Sequence, residues 1–315
     1  IVMAPSVPAA ELTTRKGEVV TAIRQDEDNP FVRAMESLME ALYGEAHPYG
    51  RRPKGTIEAV EGLSRERLLT LHRERFAPGL TSAVVVGDVE PRRAIEAARL
   101  AFGGWRAPMP PAIALSRPAP QTGRRRFVIS MMNKTQADIA YGFTSIARSD
   151  PEYYAYWLMN NALGQYAIGG RLGDSIRERQ GMAYYVGSSL DANVIEGPLS
   201  IRAGVSPSNV DRAVASIDEE LRTLAAGGLT EKELKESRQY LIGSMPRALE
   251  TNAGIANFLQ ANEFFGLGLD FDLRLPNLLR AVTLDQANAA ARRLLDPDRA
   301  TVVIAGPYEE SSPIG

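Results

Sequence analysis

Ser64-Arg-Glu-Arg-Leu, Phe76-Ala-Pro78 and Val84-Val-Val-Gly87 are answered later in the chain by Thr283-Leu-Asp-Gln-Ala, Leu295-Asp-Pro297 and Val303-Ile-Ala-Gly306. All three landmarks are displaced by the same 219 residues. Each unit reads as an N-capped helix, a proline-bearing turn and a buried strand closed by glycine. Either a common helix–strand arrangement has been matched by chance, or one domain has been duplicated. With duplication, the second copy starts near Gly123, and the offset puts the start of the first roughly a hundred residues upstream of Ile1.

The bounds fit two domains. A chain of 315 residues, 44% hydrophobic and 23% charged, has room for two cores. A net charge of -2 gives no electrostatic footprint for nucleic acid or an anionic membrane. No apolar run approaches the ~20 residues of a membrane span. The absence of cysteine excludes disulfides, iron–sulfur clusters, thiolate zinc sites and a cysteine nucleophile, and says nothing of compartment. The opening Ile1-Val-Met-Ala-Pro-Ser lacks the basic and apolar regions of a signal peptide, and the missing initiator Met suggests a trimmed or partial chain.

Pro108, Pro110, Pro111, Pro118 and Pro120 mark an extended linker. The expected division is 1–104, a Pro-rich linker 105–123, and 124–315. Before the linker, Pro30 to Leu42, Ser64 to Phe76 and Pro91 to Phe102 have helical spacing, and Ser82 to Gly87 reads as a buried strand. Beyond it, strands are expected at 127–132, 137–143, 183–192 and 199–205, with a helix over 152–163. Val210, Val214, Ile217, Leu221 and Leu224 trace one apolar stripe, and Thr230-Glu-Lys-Glu233 reads as a capping box opening a helix toward Ala248. The fold class is α+β, with helices packed on antiparallel sheet.

Catalytic constellations are scarce. His47 and His72, the only histidines, lie too far apart for a helical ligand pair, so the usual zinc set of two His and a carboxylate is missing. His72 reads as a helix residue, and His47-Pro-Tyr-Gly50 as a structural turn. Gly-x-Ser-x-Gly does not occur. Gly164-Gln-Tyr-Ala-Ile-Gly-Gly170 lacks the Gly-Lys-Ser/Thr ending of a phosphate loop and reads as a turn. Arg124-Arg-Arg126 reads as a solvated patch and Asp26-Glu-Asp-Asn29 as a helix-entry turn.

Arg177-Glu-Arg-Gln-Gly-Met-Ala-Tyr184 remains. Together with Arg24-Gln-Asp-Glu-Asp-Asn-Pro30, His47-Pro-Tyr-Gly50, Gly55-Thr56, Arg73-x-x-Phe76-Ala-Pro78, Val84-Val-Val-Gly-Asp-Val89 and Gly170-Arg-Leu172, it resembles the pitrilysin/insulinase family of zinc metallopeptidases, in its bacterial processing-peptidase-like branch. The likeness runs over nearly the whole chain. It implies two homologous insulinase-type halves joined by a linker, the first half truncated at its N-terminus, that close around a peptide in pairs.

Carried over residue by residue, the family's H-x-x-E-H motif falls upstream of Ile1. Its third zinc ligand, a Glu just ahead of the Asp-Asn-Pro turn, falls on Ala22, and the supporting Glu on Arg15. A rival register uses Glu11 and Glu18 but misplaces Val19-Val20. The resemblance therefore implies no metal ligand in this chain. It does retain the family's arginine–tyrosine pair as Arg177 and Tyr184.

Locally the pair is sensible: Leu172 to Arg179 forms a helix, Gly181 ends it in the left-handed conformation, and Tyr184 starts a strand. Such a pair holds a substrate carbonyl and stabilises the oxyanion formed when zinc-bound water attacks, ~3 kcal/mol per well-placed donor. Alternatively, Arg177 pairs with Glu178 or Asp174 on the surface and Tyr184 packs in the core. Tyr185 is expected to face the other side of the strand, in the core.

The leading expectation is a zinc-lacking subunit of a heterodimeric peptidase, with Arg177 and Tyr184 as catalytic and substrate-binding residues. It would carry no cofactor of its own, the zinc being held by a homologous partner. The alternatives are a structural subunit of the same fold, or a self-sufficient zinc peptidase whose motif lies upstream. The expected compartment is the periplasm, otherwise the cytoplasm.

Overall fold

The computed structural model describes residues 2–165 and 170–309, so the turn expected across Gly164 to Gly170 lies partly outside the described residues. The chain sorts into two compact units built of separated stretches. One comprises the residues up to Gln25, Pro53–Ala114 and Ser244–Asp272; the other comprises Asp26–Arg52, Leu115–Gly243 and the residues from Leu273. The switch at Ala114–Leu115 falls in the Pro-rich stretch, which carries neither helix nor strand.

The second unit is organised around a five-stranded sheet in the order β1-β5-β2-β4-β3. Its strands are β1 (Arg125–Ser130), β2 (Ala137–Thr144), β3 (Ala183–Leu190), β4 (Pro198–Val205) and β5 (Thr301–Gly306). Only β1 and β5 run parallel; the other neighbours are antiparallel. The antiparallel, α+β character expected from the sequence is the one observed. β2 and β5 are buried on both faces, which is why they read as nearly continuous apolar runs, interrupted in β2 by Asp138.

Helices cover both sides of that sheet. On one, α2 (Pro30–Tyr43) lays Ala34, Leu38 and Leu42 against Ala140, Val303 and Ala305. On the other, α7 (Val210–Gly227) buries all five residues of its stripe and accepts the Tyr141 hydroxyl on Asp218 at 3.0 Å. Glu231–Ala248 forms α8, opened by the capping box: Thr230 N–H donates to Glu233 Oε2 at 2.7 Å, and Glu233 N–H to Thr230 Oγ1 at 3.2 Å. The helix expected over 152–163 is Tyr153–Asn160 (α6), followed by a wider π-helical turn, Asn161–Gln165.

The smaller core of the first unit joins Val20 and Ile23 of α1 (Ala9–Glu27) to Val60 of α3 (Ile57–Gly62). Beyond α3 come α4 (Arg65–Arg75) and α5 (Pro91–Phe102). His72 stacks on Phe76 with ring centroids 4.7 Å apart, and its Nε2 lies 2.6 Å from the Val2 carbonyl.

Several bonds recur between the two segments. Ser64 Oγ accepts from Arg67 N–H at 3.1 Å, as Thr283 Oγ1 does from Gln286 N–H at 3.2 Å at the start of the matching helix, Leu284–Leu294. Phe76 N–H bonds the His72 carbonyl and Leu295 N–H the Ala291 carbonyl, both at 2.9 Å. Thr81 to Pro78 and Ala300 to Pro297 match at 3.2 Å, as do Val89 to Gly87 and Tyr308 to Gly306 at 2.9 Å. Even the closing glycines share an unusual backbone, φ +156° at Gly87 and +145° at Gly306. The segments 64–89 and 283–308 thus share caps and turns as well as sequence pattern.

One sequence expectation fails here. Ser82 to Gly87 runs extended but pairs with no strand among the described residues, and Val85 is 59% exposed. A strand needs neighbours for its N–H and C=O groups. β5 has them in β1 and β2; its counterpart has none.

Candidate functional site

The segment carrying Arg177 and Tyr184 is a short helix, a glycine turn and an edge strand, each anchored by buried apolar residues. Gly173–Arg179 winds as a π-helical segment with Ile176 buried, and Leu172 is buried just before it. Gly181 then takes φ +62°, as expected, while its N–H bonds the Arg177 carbonyl and the Met182 N–H bonds the Ile176 carbonyl, both at 3.1 Å. This pairing of bonds is the left-handed helix terminus that glycine accommodates. Met182, Ala183 and Val186 sink into the core and fix the start of β3.

Strand β3 carries a bulge at that point. Ala183 opposes Val205 and Tyr185 opposes Gly204, leaving Tyr184 as the extra, unpaired residue. Its side chain is 64% exposed, and its hydroxyl has no hydrogen-bond partner among the described residues. The core placement considered for Tyr184 is thus excluded. Because β3 is flanked only by β4, Tyr184 stands at the margin of the sheet.

Arg177 is also solvent-facing. Its one ion pair is a loose 3.8 Å approach of Nε to Glu178, a surface contact contributing ~0–1 kcal/mol. Asp174 pairs instead with Arg179 at 3.0 Å. Most donors of the Arg177 guanidinium are therefore without an acceptor among the described residues. No hydrogen bond or ring contact joins Arg177 to Tyr184 among the described residues; they stand at either end of one glycine turn.

Three features that sequence reading missed support this turn. Tyr185 is half-buried rather than core, and its hydroxyl donates a short bond to Asp138, which is 4% exposed and also accepts from Gln136 Nε2 at 3.2 Å. Burial raises the Asp138 pKa, against the Tyr185 and Gln136 bonds, and burial likewise raises that of the Tyr185 phenol. Arg171 makes a bidentate pair with Glu233 at 2.6 and 2.9 Å and reaches the Gly228 carbonyl at 2.8 Å, tying the head of the segment to the cap of α8. Gly164 packs so close to β3 that a Cβ there would meet Leu172 Cδ1 at 2.9 Å and Ser188 Oγ at 3.0 Å. The one visible signal was Asp138, a charge inside an apolar strand.

The residues tested for metal binding stay apart. Among the described residues no three His, Cys, Asp or Glu gather as a metal site. His47 Nδ1 accepts from Tyr49 N–H at 3.0 Å and its Nε2 faces the Ser116 carbonyl at 3.1 Å, a structural cap as expected. Ala22 and Arg15 lie on α1, where Arg15 pairs with Glu18 at 2.8 Å on the exposed surface, near Glu11 in the first turn.

Comparison with known proteins now places the chain. Residues 62–241, more than half of it, match the family described as peptidase M16 inactive domain. The chain belongs to the peptidase M16 family. This is the pitrilysin-like family that the sequence resembles, met through its inactive domain. The chain is 29% identical over 301 residues to a Mycobacterium leprae protein named an uncharacterized zinc protease, covering 92% of this chain and 65% of that protein. A Bacillus subtilis protein named a probable inactive metalloprotease is 22% identical, over 79% of this chain and 58% of its own length. Among solved structures, the peptidase M16 inactive domain from Pseudomonas fluorescens superposes with a TM-score of 0.87 at 26% identity, covering 99% of this chain and 74% of that one. The chain thus spans under two thirds of the Mycobacterium leprae relative's length, and its M16 assignment is to the inactive-domain part of the family.

Proposed function

We propose that this chain is the zinc-lacking subunit of a heterodimeric M16 peptidase and lends Arg177 and Tyr184 to a site whose zinc, H-x-x-E-H motif and Glu belong to a homologous partner. The observation that carries the reading is Tyr184: an aromatic hydroxyl displaced by a bulge onto the margin of an edge strand, exposed and unbonded, on a turn whose other side is buried. Seven residues earlier, Arg177 keeps its guanidinium almost free. Those two donors suit a peptide carbonyl that gains negative charge during hydrolysis.

The test is reconstitution. The chain is mixed with a zinc-binding M16 chain of the same source, and cleavage of an unstructured peptide is followed. Tyr184→Phe is expected to lower kcat by ~10²-fold with KM little changed, the mark of a donor used in the transition state. Unchanged kcat would sink the reading.

A second reading has support of its own. The Helicobacter pylori relative, 21% identical over 91% of this chain, is named a non-peptidase homolog. A purely structural subunit predicts that the assembled complex hydrolyses no peptide at any zinc concentration.

A further inference from the structure

A cleft of about 420 Å³ between α8 and the last turn of α10 (Phe271–Ala281) is lined by Lys235, Arg238, Gln239, Ile242, Gly243 and Arg280. Lys235, Arg238, Gln239 and Ile242 fall at i, i+3, i+4 and i+7 of α8 and so share one helical face. Three cations line the cleft, and no carboxylate does. In a chain with 38 acidic residues against 36 basic ones, this is a local separation of charge rather than a consequence of composition.

None of the three cations is in an ion pair among the described residues. Arg238 Nη2 donates to the Val282 carbonyl, which follows the C-terminus of α10, and Arg280 Nη1 donates to Asn277 Oδ1 at 3.2 Å. The carbonyls at that helix end attract cations and account for one Arg238 contact. They leave the Lys235 ammonium, the rest of both guanidinium forks and the Gln239 amide without acceptors. Nearby on α8, Glu233 pairs with Arg171 and Lys232 with Glu236 at 3.9 Å.

Like charges brought together repel, and an anion in the cleft reverses the sign of that energy. Planar guanidinium forks match the oxygens of phosphate in pairs, while an ammonium adds a point charge. Ile242 is the only apolar side chain in the lining, too little for an acyl chain, which favours a soluble anion over a lipid headgroup. We propose that the Lys235/Arg238/Arg280 cleft is a binding site for a small, multiply charged phosphate compound. It is independent of the Arg177 and Tyr184 reading.

Isothermal titration of the full chain with inorganic pyrophosphate, at constant ionic strength, tests it. One equivalent is expected to bind and to raise the melting temperature. The Lys235→Gln/Arg280→Gln double variant is expected to weaken binding at least tenfold while keeping the melting temperature of the free protein. Lys232→Gln, one turn away and outside the cleft, is expected to bind as the parent does. Equal loss in Lys232→Gln would mean diffuse charge attraction and overturn the proposal. So would unchanged binding by the double variant, or citrate binding as tightly as pyrophosphate, which would make the ligand a polycarboxylate.

Discussion

Val85 and Ile304 occupy the same position of two matching helix–turn–strand segments, yet Val85 is 59% exposed while Ile304 is completely buried. The turns ahead of them close with the same backbone hydrogen bonds, Thr81 to Pro78 and Ala300 to Pro297. The difference lies in what flanks them. Ile304 pairs with Val128 on one side and Ile139 on the other. Similar sequences therefore carry unequal energies. Ile304→Ala is expected to cost ~2–5 kcal/mol, through lost burial plus the cavity left behind. Val85→Ala is expected to stay within ~0.5 kcal/mol. Urea unfolding of the two variants measures the contrast, and equal losses would show that Ser82 to Gly87 is packed as β5 is.

That pair also shows how much the sequence could say. Caps, apolar stripes and the repeat are local signals, and Ser64, Thr230, Thr283, Gly181 and the α7 stripe all stand where local chemistry puts them. Strand pairing is not local: Val84-Val-Val reads like Val303-Ile-Ala whether or not neighbours exist. The bulge at Ala183 to Tyr185 escaped for the same reason. It is set by the opposing strand, and it takes Tyr184 out of the pairing register. Arg171 and Glu233, 62 residues apart, carried no mutual signal at all.

The Arg171–Glu233 pair predicts a particular acid response. Burial raises the Glu233 pKa, but the bonds from Arg171 and Thr230 outweigh it and hold the carboxyl below its ordinary range. A depressed pKa means that the folded state holds the charged form more strongly than the unfolded one does. The resulting stability is complete above the unfolded value of about 4.3 and is lost as pH falls through the lower folded value. Arg171→Gln is expected to cost ~2 kcal/mol at pH 7, where a bidentate charged contact disappears. It should also flatten the fall in melting temperature between about pH 5 and pH 3. An unchanged slope would show that Glu233 owes its low pKa to the helix cap alone.

Asp138 behaves with the opposite sign. Its raised pKa means that burial penalises the charged form, so this group destabilises above its unfolded pKa and recovers stability as pH falls through the folded value. The Tyr185 hydroxyl opposes that penalty by donating to the carboxylate. Tyr185→Phe is expected to push the Asp138 pKa higher still and to lower stability at pH 7 by ~1–3 kcal/mol. Carboxyl-carbon NMR titration of Asp138 reads the first effect directly, and a downward move would contradict it.

Gly181 decides how Arg177 is presented relative to Tyr184. It sits at φ +62° with no atom within 4 Å of where a Cβ would be, so a substitution meets a conformational penalty but no clash. Gly181→Ala is then expected to cost ~1–2 kcal/mol, and Gly181→Asn less, since asparagine tolerates the left-handed region. Proline is different in kind. It fixes φ near −65° and removes the N–H that bonds the Arg177 carbonyl at 3.1 Å. Gly181→Pro must therefore redirect the chain between Arg177 and β3, at ~3 kcal/mol or more. If Arg177 and Tyr184 act in a peptidase as proposed, the alanine and asparagine variants reconstituted with the zinc-binding chain should retain kcat, while the proline variant should lose it as Tyr184→Phe is expected to. A proline variant with full kcat would mean that the turn does not position the pair.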